Sequence, residues 1–257
     1  MRPRRPALAA ALILILGAIT TGCFNPFRPL ISAQTSQVEA PPAPTTAINV
    51  VRLFKWCWEN RNITFYRQIF TDDYRFAFAV TDSAGNAYRN TPWTREDELV
   101  SAQNLFVGGS ATESPASSIT LIFTGDLKSE RDFRDGKRDS TRHRTVQITN
   151  LTLTVTKSDG SGLQVTGGAL FYLVRGDSAV IPQELKDQGF VPDINRWYIE
   201  RWEDQTSTGQ APQGAAAPAA GGQPPAPVAK PAAGPAVAAD FPQRLSWGLL
   251  KRTYREP

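Results

Sequence analysis

The side chains that could take part in acid and base chemistry are scattered along the chain, and no motif gathers them. The candidate acids, base and hydroxyl donors are Tyr66, Asp73, Glu98, His143, Tyr172 and Glu203. We expect Asp73 to be a turn residue, Glu98 to be a charge on a helix surface, and His143, which lies in a basic run, to be exposed to solvent. A catalytic role is the alternative for each.

The sequence predicts no cofactor. His143 is the single histidine, so a zinc site built on histidines is not expected. There is no glycine-rich phosphate loop, no paired-cysteine site and no serine elbow. The residue types alone therefore indicate no particular reaction.

Residues 1–22 have the composition of a secretory signal. A basic start is followed by an apolar run, Ala7 to Ile19, that is too short to span a bilayer comfortably. Gly22 and Cys23 follow, in an arrangement that resembles the site read by a bacterial lipoprotein signal peptidase. We therefore predict that the signal peptide is removed, that Cys23 is lipidated with palmitate-type chains, and that the mature protein is a membrane-anchored lipoprotein. An ordinary secretory signal and an uncleaved anchor are the alternatives.

The residue after the lipidated cysteine bears on localisation in the cell envelope. In enterobacterial sorting an aspartate there retains a lipoprotein in the inner membrane, so Phe24 favours the outer membrane, facing the periplasm, if the cell has one. Cys57, between Trp56 and Trp58, is then the one remaining thiol. We expect it to be buried and inert rather than nucleophilic, and no intramolecular disulfide can form.

The net charge argues against a nucleic-acid partner. The chain has 28 basic and 24 acidic residues, and three of the basic ones lie in the leader. The mature chain therefore carries a net charge near +1. Binding to phosphate backbones needs a basic surface that releases counterions, so we expect no nucleic-acid binding.

The composition divides the mature chain into four parts. Residues 23–45 are rich in proline and predict a disordered tether, whereas residues 46–205 have the hydrophobic pattern of a folded domain. Residues 206–239 are mainly alanine, proline, glycine and glutamine, which predicts a disordered linker. Residues 240–257 contain Trp247 and several other apolar residues. They are too few to fold alone, so we expect this segment to dock on the domain or on a partner.

Within residues 46–205 the pattern predicts helices first and strands afterwards. A first helix runs from about Thr46 to Glu59, and a short helix from Ile63 leads through an acidic turn into an aromatic strand from Tyr74 to Val80. Thr94 is a good cap for a third helix.

Strands follow from Ser117 to about Gln205. One long strand changes the parity of its apolar residues near Thr149 and Asn150, which predicts a bulge. Gly167 and Gly168 permit a sharp bend in the next strand. The sheet is therefore expected to be strongly curved.

This order of elements resembles the nuclear transport factor 2-like superfamily of cone-shaped α+β domains, which includes SnoaL-like and ketosteroid-isomerase-like members. The resemblance covers residues 46–205 and rests on element order and on the pieces FYRQIFTDDYRFAF and WYIERWED, which look like those of uncharacterised bacterial lipoproteins. It implies an α+β fold in which a strongly curved antiparallel sheet forms a cone, with the N-terminal helices packed in its hollow side. The superfamily contains enzymes, small-molecule binders and protein-association modules, so the resemblance does not choose a function.

Two functions remain open at this point. The strand and helix faces that can point into the cone are aromatic; these residues are Tyr66, Phe76, Phe78, Phe171, Tyr172 and Trp197. An apolar interior favours a non-enzymatic module whose cone holds a lipophilic ligand or is plugged by its own aromatics. Its partners would be the membrane, a small apolar ligand, an envelope protein or a second copy in a homodimer.

The alternative function is a small-molecule lyase, isomerase or hydrolase of SnoaL-like type. Catalytic members of the superfamily use a carboxylate or histidine inside the cone, opposed by a tyrosine or aspartate, and no residue of this chain can be carried over onto such a motif. An isolated carboxyl group beside an aromatic wall would favour the enzyme.

Overall fold

The computed structural model describes residues 39–88, 91–206 and 242–255. The predicted signal peptide, the predicted lipidation site Cys23, and most of the predicted tether and linker lie outside the described residues. Among the described residues, no helix has the length and apolar composition needed to cross a membrane.

The helices are short and come mostly before the long strands. They are α1 (Ala47–Glu59), α2 (Ile63–Arg67), α3 (Arg95–Gln103), α4 (Gln183–Asp187) and α5 (Trp247–Arg255), with a 3-10 turn at Ser83–Tyr88 and a π-helical turn at Asn104–Gly108. Thr46 caps α1 by accepting a hydrogen bond from the N–H of Asn49 at 3.1 Å. Thr94 and Asp97 form a complete capping box at the start of α3, as predicted.

Eight strands form one sheet. They are β1 (Phe70–Ala77), β2 (Trp93–Thr94), β3 (Ala116–Thr124), β4 (Ser129–Arg131), β5 (His143–Lys157), β6 (Gly162–Arg175), β7 (Trp197–Thr206) and β8 (Gln243–Leu245). The main path runs β2-β1-β7-β6-β5-β3, with β4 paired to β5 and β8 to β6. The pairs β1 with β7 and β6 with β8 are parallel, and the other pairs are antiparallel.

A bulge bends the two longest strands. The register of β5 against β6 shifts between Ile148 and Leu151, which confirms the bulge predicted near Thr149 and Asn150. Gly168 faces this irregularity, and a Cβ atom there would lie 2.8 Å from the carbonyl oxygen of Ile148. The two backbones can approach this closely because the position is a glycine.

The core lies between the helices and one face of this sheet. Helix α1 packs on β3, β5, β6 and β7, and α5 packs on α3 and β7. One continuous cluster of buried apolar side chains joins these elements. A curved, unclosed sheet with helices on its concave face confirms the expected α+β cone. The sheet is mixed rather than wholly antiparallel as predicted, because strands distant in sequence form the parallel pairs β1 with β7 and β6 with β8.

The acidic turn predicted before the aromatic strand is wrong. Strand β1 begins at Phe70 and contains both Asp72 and Asp73, whose side chains are exposed. The N–H of Asp72 donates to the carbonyl of Val180 at 2.7 Å. The pairing of β1 with β7 is irregular between Phe70 and Arg75. The aspartates therefore lie in a bulge of the strand, because backbone pairing with distant segments outweighs their local preference for a turn.

Candidate functional site

Helix α5 occupies the concave side of the sheet. Its residues Trp247, Leu250, Lys251 and Tyr254 recur at i, i+3, i+4 and i+7, and all four are at most 2% exposed. The indole ring of Trp247 meets the ring of Trp202 edge-on, with the centroids 4.8 Å apart. It also meets the ring of Trp58 with the centroids 5.1 Å apart. The aromatic interior predicted for the cone is thus completed by a ring from the C-terminal segment.

The first turn of α5 is held by polar groups of the domain. The N–H of Trp247 donates to the hydroxyl of Thr206 at 3.1 Å, and the N–H of Gly248 donates to a carboxylate oxygen of Asp204 at 3.0 Å. The hydroxyl of Ser246 accepts from the N–H of Leu249 at 3.0 Å. These bonds pair three N–H groups that a helix start leaves without intrahelical partners.

Close packing also fixes the position of this turn. A Cβ atom at Gly248 would lie 2.4 Å from the ring of Phe78 and 2.5 Å from the carboxylate of Asp82. That carboxylate accepts a hydrogen bond from the hydroxyl of Ser246. A larger residue at position 248 would push α5 away from Phe78 and Asp82.

The last turn of α5 is bound to α3 and the turn that follows it. The hydroxyl of Ser101 donates to the carbonyl of Lys251, and the side-chain amide of Asn104 donates to the carbonyl of Tyr254, both at 2.8 Å. The carboxylate of Asp97 binds the guanidinium of Arg255 at 2.6 Å. Both ends of the helix are therefore seated on the domain by specific hydrogen bonds.

A buried ion pair lies beneath this helix. The ammonium of Lys251 contacts the carboxylate of Glu98, and the two side chains are 2% and 1% exposed. The same carboxylate accepts hydrogen bonds from the hydroxyl of Tyr66 at 2.6 Å, the indole N–H of Trp93 at 3.1 Å and the hydroxyl of Tyr74 at 3.3 Å. Four donors thus surround one carboxylate, which satisfies a charge that would otherwise be costly to bury.

The ammonium of Lys251 is also stacked between aromatic rings. Its nitrogen lies 4.0 Å from the ring centroid of Trp202 and 4.5 Å from that of Phe76, both within the range of a cation–π interaction. Burial lowers the pKa of Lys251 to about 8, while the charge of Glu98 opposes this shift.

The tyrosines of this cluster keep their protons. Burial, together with the negative charge of Glu98, holds the pKa values of Tyr66 and Tyr74 well above the usual value for tyrosine. Both hydroxyls consequently act as donors to Glu98 across the physiological pH range.

The prediction that Glu98 is a surface charge is wrong. Leu99 and Ala102 of α3, and Phe106 in the π-helical turn that follows it, face the core. Glu98 lies on an adjacent face of the helix, and that face is covered because α5 packs on it. The sequence signal that could have located the site is Lys251, a cation on the apolar stripe of the C-terminal segment, since a buried lysine needs a carboxylate.

A second buried acid lies at the start of α5. Asp204 is 5% exposed and accepts hydrogen bonds from the N–H and the hydroxyl of Thr206 at 2.8 and 2.6 Å. Burial raises its pKa to about 6, with a smaller contribution from the negative charge of Asp82. These hydrogen bonds oppose the rise but do not cancel it.

The prediction that His143 is exposed to solvent is also wrong. The residue is 8% exposed, and its Nδ1 lies 4.0 Å from a carboxylate oxygen of Glu200. Glu200 also binds Lys137 at 2.6 Å and Arg134 at 3.1 Å, so the basic run is folded back onto an acid of β7. Burial and the positive charge of Lys137 lower the pKa of His143. The histidine lies beside a structural ion-pair cluster of Glu200, Lys137 and Arg134, outside the concave interior.

The side chains named as possible cone-lining residues do not all share one surface. Tyr66, Phe76, Phe171 and Trp197 belong to the main core, and Phe78 is partly buried beside it. Tyr172 lies on the opposite face of the sheet from Phe171, because neighbouring strand residues alternate, and the guanidinium of Arg134 stacks on its ring at 4.1 Å. Among the other candidates, Asp73 is exposed, and Glu203 pairs with Arg201 at 2.9 Å.

The remaining chemistry of the described residues is limited. Cys57 is buried, and burial raises the pKa of its thiol, so it is an inert core residue. Within the described ranges no three His, Cys, Asp or Glu side chains come together in a group that could hold a metal ion.

The fold defines a cone-shaped α+β domain, and solved structures with a similar arrangement were found. No protein-family model matches the chain, and no curated protein matches it. Similar structures include a nuclear transport factor 2 (NTF2-like) superfamily protein from Salmonella enterica serovar Typhimurium, at 11% identity and a TM-score of 0.39, with 65% of this chain and 92% of that chain covered.

Two further similar structures come from other bacteria. A conserved protein from Planctomyces limnophilus is 11% identical, with a TM-score of 0.40 and coverage of 62% and 92% of this chain and that chain. An NTF2-like protein of unknown function in nutrient uptake from Rhodospirillum rubrum is 11% identical, with a TM-score of 0.39 and coverage of 63% and 98%. Two of these three structures are named as NTF2-like proteins. At these identities the likeness concerns the fold alone.

Proposed function

We propose that this protein is a membrane-anchored lipoprotein of the bacterial cell envelope whose domain is a non-enzymatic module for binding or protein association. The observation that carries the non-enzymatic assignment is the filling of the concave interior by α5. Trp247 occupies the aromatic centre, and Lys251 neutralises Glu98.

The argument against catalysis rests on access. A general acid or base must reach the substrate proton it transfers, directly or through one water. Glu98 is 1% exposed and already accepts from Tyr66, Tyr74, Trp93 and Lys251. Of the two non-enzymatic possibilities, a lipophilic ligand in the cone or a cone plugged by its own aromatics, this arrangement favours the plugged cone.

A specific observation favours the enzyme as the second candidate. Glu98 is a carboxylate beside an aromatic wall, with the hydroxyl donors Tyr66 and Tyr74 next to it. If α5 left the interior, these groups would line an open pocket of the kind used by a lyase or isomerase.

Turnover assays separate the two candidates. The full chain is incubated with steroid-like, polyketide-like and epoxide substrates, and products are followed by mass spectrometry. We expect none. Turnover that is abolished by Glu98→Gln in a folded variant, but retained by Glu203→Gln at a more exposed acid, would establish the enzyme instead.

The anchor is proposed from the Gly22 and Cys23 pair and is tested by metabolic labelling with a radioactive fatty acid. We expect label in the wild type and none in Cys23→Ala, because two or three acyl chains on that residue provide the stable attachment. Cys57→Ala is the matched control, since it removes the other cysteine and should label as the wild type does. Equal labelling of Cys23→Ala would contradict the proposal.

A further inference from the structure

An open groove of about 680 Å³ lies outside the closed interior. The end of β1, the 3-10 turn and Arg201 of β7 form its sides. Its lining includes Arg75, Phe76, Phe78, Tyr88, Pro92 and Arg201. The volume falls within the range of small-molecule sites in proteins.

The apolar part of the groove is a preformed aromatic wall. The rings of Phe78 and Tyr88 are stacked at 7° with centroids 4.9 Å apart, and Trp93 supports Tyr88 edge-on at 5.2 Å. Val80, which also lines the groove, is 97% exposed. An apolar surface of this kind is suited to an apolar ligand body.

The charged part of the groove contains two neighbouring arginines. Arg75 and Arg201 lie directly opposite each other on the parallel strands β1 and β7, where like charges repel. Glu203 pairs with Arg201 at 2.9 Å, whereas no carboxylate of the described residues lies within 4.0 Å of the guanidinium of Arg75. One nitrogen of that guanidinium donates to the carbonyl of Tyr74 at 2.7 Å.

Asp82 is the acid among the residues that line the groove. Asp82 is 4% exposed, and its carboxylate is turned to the start of α5, where the hydroxyl of Ser246 donates to it. An anion placed between the two arginines would relieve their repulsion and would meet planar guanidinium donors.

We propose that this groove binds an amphiphilic anion, with its apolar body on Phe78 and Tyr88 and its anionic head on Arg75 and Arg201. The head group is a carboxylate, sulfonate or phosphate, which an anionic lipid or a soluble aromatic or fatty acid could supply. The inference deepens the proposed function, on which it rests, by giving the binding module a ligand class and a site outside the plugged cone.

A pair of matched fluorescent probes tests the charge requirement in the full chain. Anilinonaphthalene sulfonate and N-phenylnaphthylamine share one aromatic body, and the first carries the anionic group. We expect the sulfonate to bind more tightly. Arg75→Gln and Arg201→Gln should each weaken its binding about tenfold to a hundredfold, since each removes a hydrogen bond to a charged group.

Controls separate the groove from other sites. Arg52→Gln changes an exposed arginine of α1 that does not line the groove, and it should bind the sulfonate as the wild type does. Unchanged melting temperatures show that the glutamine variants are folded. Equal binding of the two probes, or sulfonate binding that both Arg75→Gln and Arg201→Gln leave unchanged, would overturn the proposal.

Vesicles identify the source of the anion. Retention of the Cys23→Ala chain, which lacks the proposed anchor, on phosphatidylglycerol vesicles but not on phosphatidylcholine vesicles, with loss when Arg75→Gln is added, would assign the site to a lipid head group. Sulfonate binding without vesicle retention would assign it to a soluble anion, and both outcomes support the proposal. Binding that is insensitive to the arginines but changed by Lys251→Met would place the ligand inside the cone, and would count against the groove and the plugged cone together.

Discussion

Replacing Lys251 by methionine tests whether the buried ion pair and α5 form one structural unit. Methionine retains most of the length and apolar contact of lysine, so the change mainly removes the ammonium. Glu98 then remains 1% exposed and without its cation. Removing one partner of a buried pair costs about 3 to 5 kcal/mol of unfolding free energy.

The remaining donors set where in that range the result should fall. Tyr66 and Trp93 still donate to Glu98 at 2.6 and 3.1 Å, so the stranded carboxylate keeps part of its stabilisation. We therefore expect a loss near the lower limit, about 3 kcal/mol. For a domain of this size each kcal/mol lowers the melting temperature by roughly 2 to 4 °C, which gives a drop of roughly 6 to 12 °C.

A double-mutant cycle measured by urea unfolding isolates the interaction free energy between Lys251 and Glu98. Glu98→Gln alone leaves a buried ammonium and should also destabilise. The double variant Lys251→Met with Glu98→Gln leaves no buried charge there, so it should be much less destabilised than the sum of the two single changes.

A more exposed lysine–glutamate ion pair within α1 provides the control. Lys55 and Glu59 are paired at 2.5 Å, but their side chains are about one-third exposed. Lys55→Met should therefore cost less than about 1 kcal/mol. A loss for Lys251→Met as small as that for Lys55→Met, or a double variant whose loss equals the sum of the singles, would refute the reasoning.

Two further outcomes follow from the same helix. The folded-state pKa of Asp204, about 6, lies above its usual value of 3.8, so the stability linked to its titration is fully present below about pH 4 and is lost as the pH rises through 6. The change amounts to about 3 kcal/mol of unfolding free energy. Urea unfolding at pH 4 and 7.5 should show this loss in the wild type and not in Asp204→Asn. An equal change in unfolding free energy in the two proteins would contradict the assignment. Truncation after Thr206 removes the buried side chains of Trp247, Leu250 and Tyr254, each worth roughly 1.5 to 3 kcal/mol before the cost of ordering. It should lower the melting temperature clearly, whereas an unchanged melting curve would show that α5 is not needed by the domain.

Several features of the fold could be predicted from the sequence because their causes are local. The capping box at Thr94 depends on a residue three positions away. The bulge at Thr149 and Asn150 is visible as a change in the parity of apolar residues along one strand. Helical spacing likewise identified the buried face of α1, including Cys57. Such signals depend on neighbouring residues, which the sequence lists directly.

The burial of the ionisable residues was decided by the tertiary structure. Glu98 and Lys251 are 153 positions apart, and the residues around Glu98 alone have the pattern of a helix surface. His143 is covered because its basic segment folds back onto Glu200. For Glu98 and His143 the local pattern indicates only which side of the helix or strand is apolar. It does not show which distant segment covers the other side.

The sequence alone predicts the main order of helices before strands, the curvature of the sheet and the aromatic character of the interior, because hydrophobic period, caps and glycines act over a few residues. It does not predict the short helix α4, which lies between β6 and β7. Whether that interior is open depended on where the C-terminal segment packs. The start of α5 is fixed by Asp82, Asp204 and Thr206, and its end by α3. Contacts between such distant parts of the chain form only when the sheet has brought them together, and they place Lys251 on Glu98.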